Sequence, residues 1–233
     1  MAKAEIIAEI GINHNGDMEI AKKLIGEAKS NGADVAKFQL FDPEIFCSGE
    51  ESFYDDALQA RLDHKQFLML HDYCQELKIE FMASVFDTTG IAWCEEVNVK
   101  RYKIASRSIH DKELIQAIAD TGKPTIASLG MYEGKGFPNL QTKETSFLYC
   151  VSKYPTAPEH LTFNDVDFNQ YTGFSDHSIG ITACQIALAK GARIIEKHFT
   201  LDKNMKGPDH ICSMVPTELR EIVEWNETIL SYL

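Results

Sequence analysis

Residues 34–41 read DVAKFQLF, and residues 193–200 read RIIEKHFT. Both are short apolar runs typical of buried β-strands, yet each carries polar residues at its centre. Similar runs recur along the chain, and eight candidate strands are predicted at 4–11, 34–41, 80–86, 101–106, 124–130, 147–153, 173–177 and 193–200. The regular recurrence of buried strands indicates a fold built around a sheet that is covered on both faces.

Apolar residues recur at helical spacing between these strands. The first such face, Ile20, Leu24, Ile25 and Ala28, is followed by Asn31-Gly32, a typical helix end. Further faces are Phe67, Leu70, Cys74 and Leu77; Leu114, Ile115 and Ile118; Ile179, Ala183, Ala187 and Leu188; and Leu219, Ile222, Val223, Ile229 and Leu230. Eight strands with mostly helical connectors predict an α/β fold, a closed (β/α)8 TIM barrel forming a single domain over residues 1–233. An open doubly wound sheet is the alternative.

Two connectors depart from this regularity. Residues 42–63 form a long acidic and aromatic connector after the second strand, on the side where barrel enzymes place their active sites, and are a candidate lid. Residues 131–146 contain Gly134, Gly136 and Pro138 and little helical periodicity. The fifth helix is therefore predicted to be shortened or absent.

Composition narrows the function classes. The chain has 233 residues, of which 44% are hydrophobic and 25% charged, as in compact globular proteins. A formal net charge of -12 disfavours nonspecific binding to nucleic acid or anionic membranes, although it does not exclude an anionic small ligand.

No apolar run is long enough to span a membrane and no signal-peptide pattern is present, so a cytoplasmic location is expected. The six cysteines lack CxxC spacing and are expected to be reduced thiols.

Polar residues interrupt the predicted strands near their carboxyl ends. They are Glu9, Lys37, Gln39, Lys103, Ser128, Ser175, His177, Glu196 and His198. Because side chains alternate faces along a strand, residues two positions apart, such as Lys37 and Gln39, share a face. A single buried charge is commonly explained by a structural ion pair. Several at the carboxyl ends of different barrel strands predict an active site.

Two histidines are candidate metal ligands. His177 and His198 end consecutive strands, which lie about 4.8 Å apart, so both imidazoles could bind one divalent ion with open positions left for water and substrate. Nitrogen ligands suit Mn, Fe, Co or Zn. His14 and His210 lie in loops at the same mouth, and their role stays open at this stage.

Serines add a second group of candidate ligands. They lie at or just beyond the strand ends, at Ser84, Ser106, Ser128, Ser152 and Ser175. With Lys37 and Lys103 they could surround a ligand that bears both phosphate and carboxylate. The sequence contains no nucleotide phosphate-binding loop. Either lysine could instead form a Schiff base, as in aldolases, and that alternative stays open.

Nine stretches together resemble the catalytic barrel of the sialic acid synthase (N-acetylneuraminate synthase) family. They are IAEIGINHNGD, AKFQLF, FMASVFD, YKIAS, GKPTIASLGM, CVSKYPT, GFSDHSIG, EKHFTLDK and GPDHICSM, and they extend from about residue 5 to residue 215. The resemblance implies condensation of phosphoenolpyruvate with an aldehyde sugar, typically N-acetylmannosamine, to a nonulosonic 2-keto acid and phosphate. It also implies a divalent ion on His177 and His198, usually Mn²⁺ with Mg²⁺ or Co²⁺ as other possibilities, and no organic cofactor.

The resemblance also implies roles for individual residues. Phosphoenolpyruvate contacts correspond to Lys37, Ser84, Lys103, Ser106, Ser128, Ser152 and Ser175. Positions near the metal water or the sugar correspond to Glu9, Gln39, Tyr154 and Asp209. Among these, Glu9 is the candidate for stabilising a cationic intermediate or deprotonating the attacking water. The residues expected to be catalytic are Glu9, Lys37, Lys103, His177 and His198.

Two departures from the family pattern qualify these expectations. Family members commonly have Lys-Ile-x-Ser-Gly-Glu after the fourth strand, whereas this chain has Arg107-Ser108 where Gly-Glu is expected, so the acceptor sugar could be different and more anionic. Family members also continue into an antifreeze-like domain that caps the partner's site, and no such domain is expected within residues 1–233. A homodimer, or a separate capping-domain protein, is therefore a possible partner, and a non-catalytic or partner-dependent barrel subunit is the non-enzymatic alternative.

Overall fold

The computed structural model describes residues 3–46 and 53–232. Eight parallel strands close into one barrel with neighbours in chain order. The strands are β1 Glu5–Gly11, β2 Val35–Leu40, β3 Glu80–Val85, β4 Tyr102–Ile104, β5 Thr125–Ser128, β6 Thr145–Cys150, β7 Gly173–Asp176 and β8 Ile194–His198. β1 closes the barrel by pairing with β8, and Ile7 lies opposite Glu196. The predicted single-domain TIM barrel is confirmed.

Eight α-helices surround or flank this barrel in the described residues. They are α1 Met18–Ser30, α2 Pro43–Phe46, α3 Tyr54–Ala60, α4 His64–Leu77, α5 Thr88–Glu96, α6 Lys112–Asp120, α7 Thr182–Ala189 and α8 Pro216–Ile229. Short 3-10 turns occur at Ser106–Ser108, Pro158–His160, Phe163–Asp165 and His210–Cys212. The predicted apolar faces of α1, α4, α6 and α8 contact the core, with most of their residues buried.

Local sequence signals set the helix ends. The Asp17 side chain accepts hydrogen bonds from the backbone N–H groups of Glu19 and Ile20 and so begins α1. Asp63 and Gln66 form a reciprocal capping box at the start of α4. The prediction that Ile179 belongs to the α7 face is wrong, because α7 begins at Thr182 and Ile179 is 61% exposed.

The connectors after β5 and β6 lack α-helices. The absence after β5 confirms the prediction for residues 131–146. The absence after β6 corrects the expectation of a helical connector, since residues 151–172 form only two 3-10 turns. Pro155 and Pro158 remove backbone donors there, and Val166 and Phe168 bury their side chains in the core without helical spacing.

The candidate lid is only partly described. Its residues 47–52 lie outside the described ranges, whereas α2 and α3 form most of the rest of the connector. Ala57 and Ala60 of α3 are buried in a small apolar cluster with Ile12 and Phe41, against which Phe46 packs. These contacts attach the described parts of the connector to the carboxyl end of β2.

The barrel interior is built in layers. Its lower layer, which we call the apolar plug, is a separate cluster of inward side chains, Ile7, Val35, Met82, Ile126, Leu148 and Ile194. Below it, Arg101 pairs with Glu5 and Glu80 at the amino-terminal rim. Five cysteines in the described residues are free and buried, as expected, and Cys47 lies outside these ranges. No described helix is long and apolar enough to cross a membrane.

Candidate active site

A polar layer lies directly above the apolar plug. Each of its members follows a plug residue by two positions, so alternation along the strand points it inward on the same face, nearer the carboxyl end. The layer comprises Glu9, Lys37, Ser84, Ser128, Cys150 and Glu196. The predicted concentration of polar side chains at the carboxyl ends of the strands is thus a consequence of strand periodicity.

Two lysines and two glutamates form an ionic cluster at the level of this layer, which Lys103 enters from β4, where it lies opposite Ser84. Lys37 Nζ lies 3.1 Å from Glu9 Oε2, 3.1 Å from Glu196 Oε2 and 3.0 Å from Ser84 Oγ. Lys103 Nζ lies 3.3 Å from Glu196 Oε1, which also accepts a 3.0 Å hydrogen bond from Ser175. Four charges of alternating sign therefore balance one another in a buried space.

Burial and pairing shift the pKa values of these groups in different directions. Burial disfavours the charged form of Lys37, but Glu196 and Glu9 outweigh it and raise the pKa of Lys37. Burial lowers the pKa of Lys103 despite the attraction of Glu196, and repulsion from Lys37 adds to that effect. Burial disfavours ionised Glu196, but both lysines hold its pKa below the usual value.

A second group of small polar side chains surrounds Gly130. The Gly130 N–H donates to Ser106 Oγ at 3.0 Å, and Ser106 Oγ lies 3.5 Å from Cys150 Sγ. A Cβ atom at Gly130 would lie 2.4 Å from Ser152 Oγ and 2.9 Å from Cys150 Sγ. Glycine at this position therefore permits two hydroxyls and a thiol to come together where a side chain would collide with them.

The two candidate metal ligands lie side by side. The imidazole centroids of His177 and His198 are 5.7 Å apart. His177 Nδ1 lies 3.0 Å from the Val151 carbonyl oxygen, and a hydrogen bond donated there leaves Nε2 as the unprotonated nitrogen. His198 Nδ1 lies 3.7 Å from Asp209 Oδ2, too far for a hydrogen bond, and is buried without a hydrogen-bond partner among the described residues.

The surroundings shift the pKa values of the two imidazoles in opposite directions. Burial lowers the pKa of His198, against the attraction of Asp209, and favours the neutral form that binds metals. Burial also opposes protonation of His177, but the adjacent Cys150 raises its pKa. Conversely, burial would raise the pKa of the Cys150 thiol, but His177 lowers it.

Three further residues lie beside the imidazoles or the ionic cluster. The Tyr154 ring lies 4.0 Å from the His177 ring and 6.0 Å from the His198 ring, between centroids. Gln39 donates to Glu9 Oε1 at 2.9 Å. Gly11 has φ +53°, and a Cβ there would lie 3.3 Å from Glu9 Oε1 and 3.5 Å from His198 Cε1. Glycine thus leaves room beside the end of β1 for the Glu9 carboxylate and the His198 ring.

The structure brings all the sequence-predicted site residues to this end of the barrel. Ser128 faces inward like the others, but its Oγ has no hydrogen-bond partner among the described residues. His14 is fully buried against Phe38, whose side chain belongs to the outer core. His210 is bonded to Thr200 through Nδ1 at 2.7 Å. Within the described residues, no hydrogen bond joins either histidine to the two candidate metal ligands.

Some site residues are absent from the sequence-based assignment of ligands. Glu196 is expected from sequence only to face inward, yet it bridges both lysines. Its position two residues before His198 is the signal that could have placed it in the site. Cys150 and Gly130 carry no such signal, since their role depends on contacts between separate strands.

Arg107 and Ser108, which replace the family Gly-Glu after β4, are both held in place by their surroundings. Arg107 stacks its guanidinium 4.1 Å above the Phe46 ring and donates to the Phe46 carbonyl oxygen at 2.6 Å. Ser108 is buried within the 3-10 turn. In this arrangement Arg107 connects the β4 end to α2.

The donor set suits a divalent cation through its two imidazoles. The unpartnered Nδ1 of His198 and the oriented ring of His177 fit such an ion, with carboxylates of Glu9 and Asp209 in the same region. No group of three or more His, Cys, Asp or Glu side chains in the described residues is arranged around one point. A bound ion would thus have two protein ligands and positions open to small molecules.

A closed parallel barrel with charged and imidazole side chains gathered at its carboxyl end defines the class of TIM-barrel enzymes. The sequence model of the NeuB family matches residues 24–232, and the chain belongs to that family. The resemblance to sialic acid synthases is thereby confirmed.

Individual relatives agree with this membership. An uncharacterized protein of Methanocaldococcus jannaschii is 40% identical over 230 residues, covering 94% of this chain and 68% of its own. The N,N'-diacetyllegionaminic acid synthase of Legionella pneumophila is 33% identical, covering 94% and 70%. The solved N-acetylneuraminic acid synthetase of Leptospira borgpetersenii is 32% identical with a TM-score of 0.89, covering 99% and 85%. The chain is similar to these synthases in sequence and in fold.

Proposed function

We propose that this protein condenses phosphoenolpyruvate with an amino-sugar aldehyde, similar to N-acetylmannosamine, to a sialic-acid-like nonulosonic 2-keto acid and inorganic phosphate. The observation that carries the proposal is the pair of buried lysines held by Glu196 beside two adjacent imidazoles. Membership of a family that contains named acid synthases supports it.

The lysines and serines account for binding of the anionic substrate. Lys37 and Lys103 supply ammonium groups from opposite sides of Glu196, and the hydroxyls of Ser84 and Ser175 already contact this cluster. Ser128 offers a hydroxyl without a partner among the described residues, and Ser106 and Ser152, which Gly130 allows to come close together, offer two more. Phosphate and carboxylate are the groups that this combination of donors recognises.

The chain's own residues also account for the bond changes. C3 of phosphoenolpyruvate attacks the aldehyde carbon, the new C–C bond forms, and the aldehyde oxygen takes a proton to become a hydroxyl. Water then adds to the cationic C2 and gives one proton to Glu9, which balances the proton taken up by the aldehyde oxygen. The new C2 hydroxyl transfers its remaining proton to the phosphate as the C2–O bond to phosphate breaks, which leaves the C2 ketone and inorganic phosphate held by Lys37 and Lys103. A divalent cation on His177 and His198, such as Mn²⁺, would polarise the aldehyde carbonyl when bound.

Phosphate release tests the proposal. The protein is incubated with phosphoenolpyruvate, Mn²⁺ and a panel of neutral and anionic amino-sugar aldehydes, the anionic members being included because Arg107 and Ser108 replace the family Gly-Glu. Acceptor-dependent phosphate is expected, and Lys37→Met or Lys103→Met should lower kcat/KM by about 100-fold or more. Lys100→Met is the control, because Lys100 is an exposed lysine at the other end of the barrel.

Two outcomes would contradict the proposal. The first is a folded protein that releases no phosphate with any acceptor or metal in the panel. The second is a stable pyruvate adduct on Lys37 or Lys103 after borohydride reduction, because that result would identify a Schiff-base lyase.

A further inference from the structure

A buried ion pair lies on the outer face of β7 and β8, behind the candidate site. Asp176 and Lys197 are partners in the register of these strands, and Lys197 Nζ lies 2.7 Å from Asp176 Oδ2. Both side chains are 0% exposed. Strand alternation turns this pair away from the barrel interior, whereas the neighbouring His177 and His198 belong to the site.

The pair holds the main chain on both sides of His177. Asp176 Oδ1 accepts a hydrogen bond from the Ser178 N–H at 2.8 Å, and Lys197 Nζ donates to the Ser178 carbonyl oxygen at 2.7 Å. Both backbone polar groups of Ser178 are therefore fixed by one ion pair. The Cys184 thiol of α7 donates to Asp176 Oδ2 at 3.2 Å and completes the set of partners.

Stability alone does not explain this arrangement. Removing two charges from water costs several kcal/mol per ion, and well-packed apolar residues in place of a buried pair commonly give equal or greater stability. The surroundings are suited to apolar residues, since Phe174 and Ile195 precede the pair on the same faces and Ala183 packs in α7. Apolar residues could not, however, replace the hydrogen bonds of the pair to Ser178, which hold this segment of the main chain.

The position of the pair in the chain indicates what its geometric role is. Asp176 directly precedes His177, and Lys197 directly precedes His198. The carbonyl oxygens of these histidines are held separately, by the N–H of Thr156 at 2.8 Å and by the N–H of Met214 at 2.7 Å. The ion pair between Asp176 and Lys197 therefore fixes the register and rotation of the carboxyl ends of β7 and β8, which carry the two imidazoles.

We infer that Asp176 and Lys197 are positioning residues that set the spacing and orientation of His177 and His198. This inference rests on the proposed function, in which the two imidazoles bind a divalent cation. It concerns residues that would contact neither cation nor substrate. The expected consequence of losing the pair is a folded barrel with loosely oriented imidazoles.

The decisive variant replaces the pair by apolar residues, Asp176→Leu with Lys197→Met. We expect a folded protein with a lowered thermal midpoint, because both backbone groups of Ser178 lose these partners, and an Mn²⁺ dissociation constant raised about 10-fold or more, measured by electron paramagnetic resonance. In metal-free protein, the ¹⁵N spectrum of the His177 ring should change from one tautomer, protonated at Nδ1, to an averaged signal. Arg101→Met is the control, since it removes a partly buried pairing at the opposite rim and should leave both readouts unchanged.

Unchanged Mn²⁺ affinity together with an unchanged His177 spectrum in the double variant would overturn the inference. If the double variant does not fold, Asp176→Asn decides by the same two readouts, because it keeps an acceptor for the Ser178 N–H but removes the charge. Absence of Mn²⁺ binding by the wild type would count against the proposed metal instead. The ring spectrum of the metal-free protein would then still decide whether the pair positions His177.

Discussion

Gly130 illustrates how a single missing side chain shapes the site. Its Cα lies where Ser106, Cys150 and Ser152 converge, and a Cβ would meet all three within 3.0 Å. Because these atoms already occupy the position of a Cβ, a methyl group there would displace hydroxyls that bind the proposed substrate. The conformation of Gly130 is not left-handed, so alanine adds volume without backbone strain.

Gly130→Ala is therefore expected to weaken phosphoenolpyruvate binding by about 10-fold or more while the protein stays folded. Isothermal titration with phosphoenolpyruvate measures the effect. Gly26→Ala is a matched control, because Gly26 lies inside α1 and, apart from the helix's own backbone and its chain neighbours, no atom lies within 4 Å of the added Cβ. That control should raise the free energy of unfolding by about 0.5–1 kcal/mol and leave binding unchanged. Equal affinity of Gly130→Ala and wild type would contradict this prediction.

His14 makes stability depend on pH. Burial lowers the pKa of His14 from 6.5 to about 4, and its Nδ1 accepts a hydrogen bond from the Gly16 N–H. The unfolded chain therefore binds a proton at a higher pH than the folded protein. Stability is fully present above pH 6.5 and is lost as pH falls towards 4, by on the order of 3 kcal/mol from this residue.

His14→Gln should flatten the loss of stability between pH 6.5 and pH 4. Urea unfolding at several pH values measures it, and the free energy of unfolding should decline less steeply than in the wild type. His110→Gln is the comparison, since His110 is exposed. The same pH slope for His14→Gln and wild type would show that this histidine is not the responsible group.

At the scale of elements, α8 is fastened to the first strand of the barrel. Asn226 of α8 is buried, donates to the Ala4 carbonyl oxygen at 2.7 Å and accepts from the Ala4 N–H at 3.2 Å. Ala4 directly precedes β1, which pairs with β8. This one amide therefore connects the last described helix to the first strand.

Asn226→Ala is expected to lower the free energy of unfolding by about 2–3 kcal/mol, because it leaves two buried backbone groups without partners. Denaturant unfolding measures the change. Thr228→Ala on the same helix is the control, since Thr228 is exposed, and its effect should stay within about 0.5 kcal/mol. A loss below about 0.5 kcal/mol in Asn226→Ala would contradict the proposed fastening role.

The sequence predicts elements better than their connectors. Strand positions follow from apolar runs, and all eight predicted strands overlap the observed ones. The missing helix after β5 follows from its glycines and proline. The missing helix after β6 does not, because residues 151–172 hold apolar side chains whose burial depends on contacts with the finished sheet. Ile179 fails for a related reason, as helical spacing alone does not set where α7 begins.

For the whole molecule, period-two alternation explains why so much of the site is visible in the sequence. An inward apolar residue followed by an inward polar residue, as in Ile7 and Glu9 or Val35 and Lys37, places the charged layer at the carboxyl end of the barrel. What the sequence does not reveal is pairing across strands. The bridge from Glu196 to both lysines and the pair of Asp176 with Lys197 arise only when the barrel closes.

The whole barrel also divides its charges by layer. Arg101 pairs with Glu5 and Glu80 below the apolar plug, and the lysine and glutamate cluster lies above it. Charged networks at the amino-terminal rim of a barrel contribute to stability, whereas those at the carboxyl rim serve chemistry. The residues assigned to the proposed condensation all lie above the apolar plug.

A crystal structure of the protein soaked with Mn²⁺ and phosphoenolpyruvate tests the central claim most directly. We predict phosphoenolpyruvate between Lys37 and Lys103, with its anionic groups on the inward serines, and the cation bound by His177 and His198. Phosphoenolpyruvate bound away from both lysines, or Mn²⁺ bound elsewhere while these imidazoles stay free, would contradict the account.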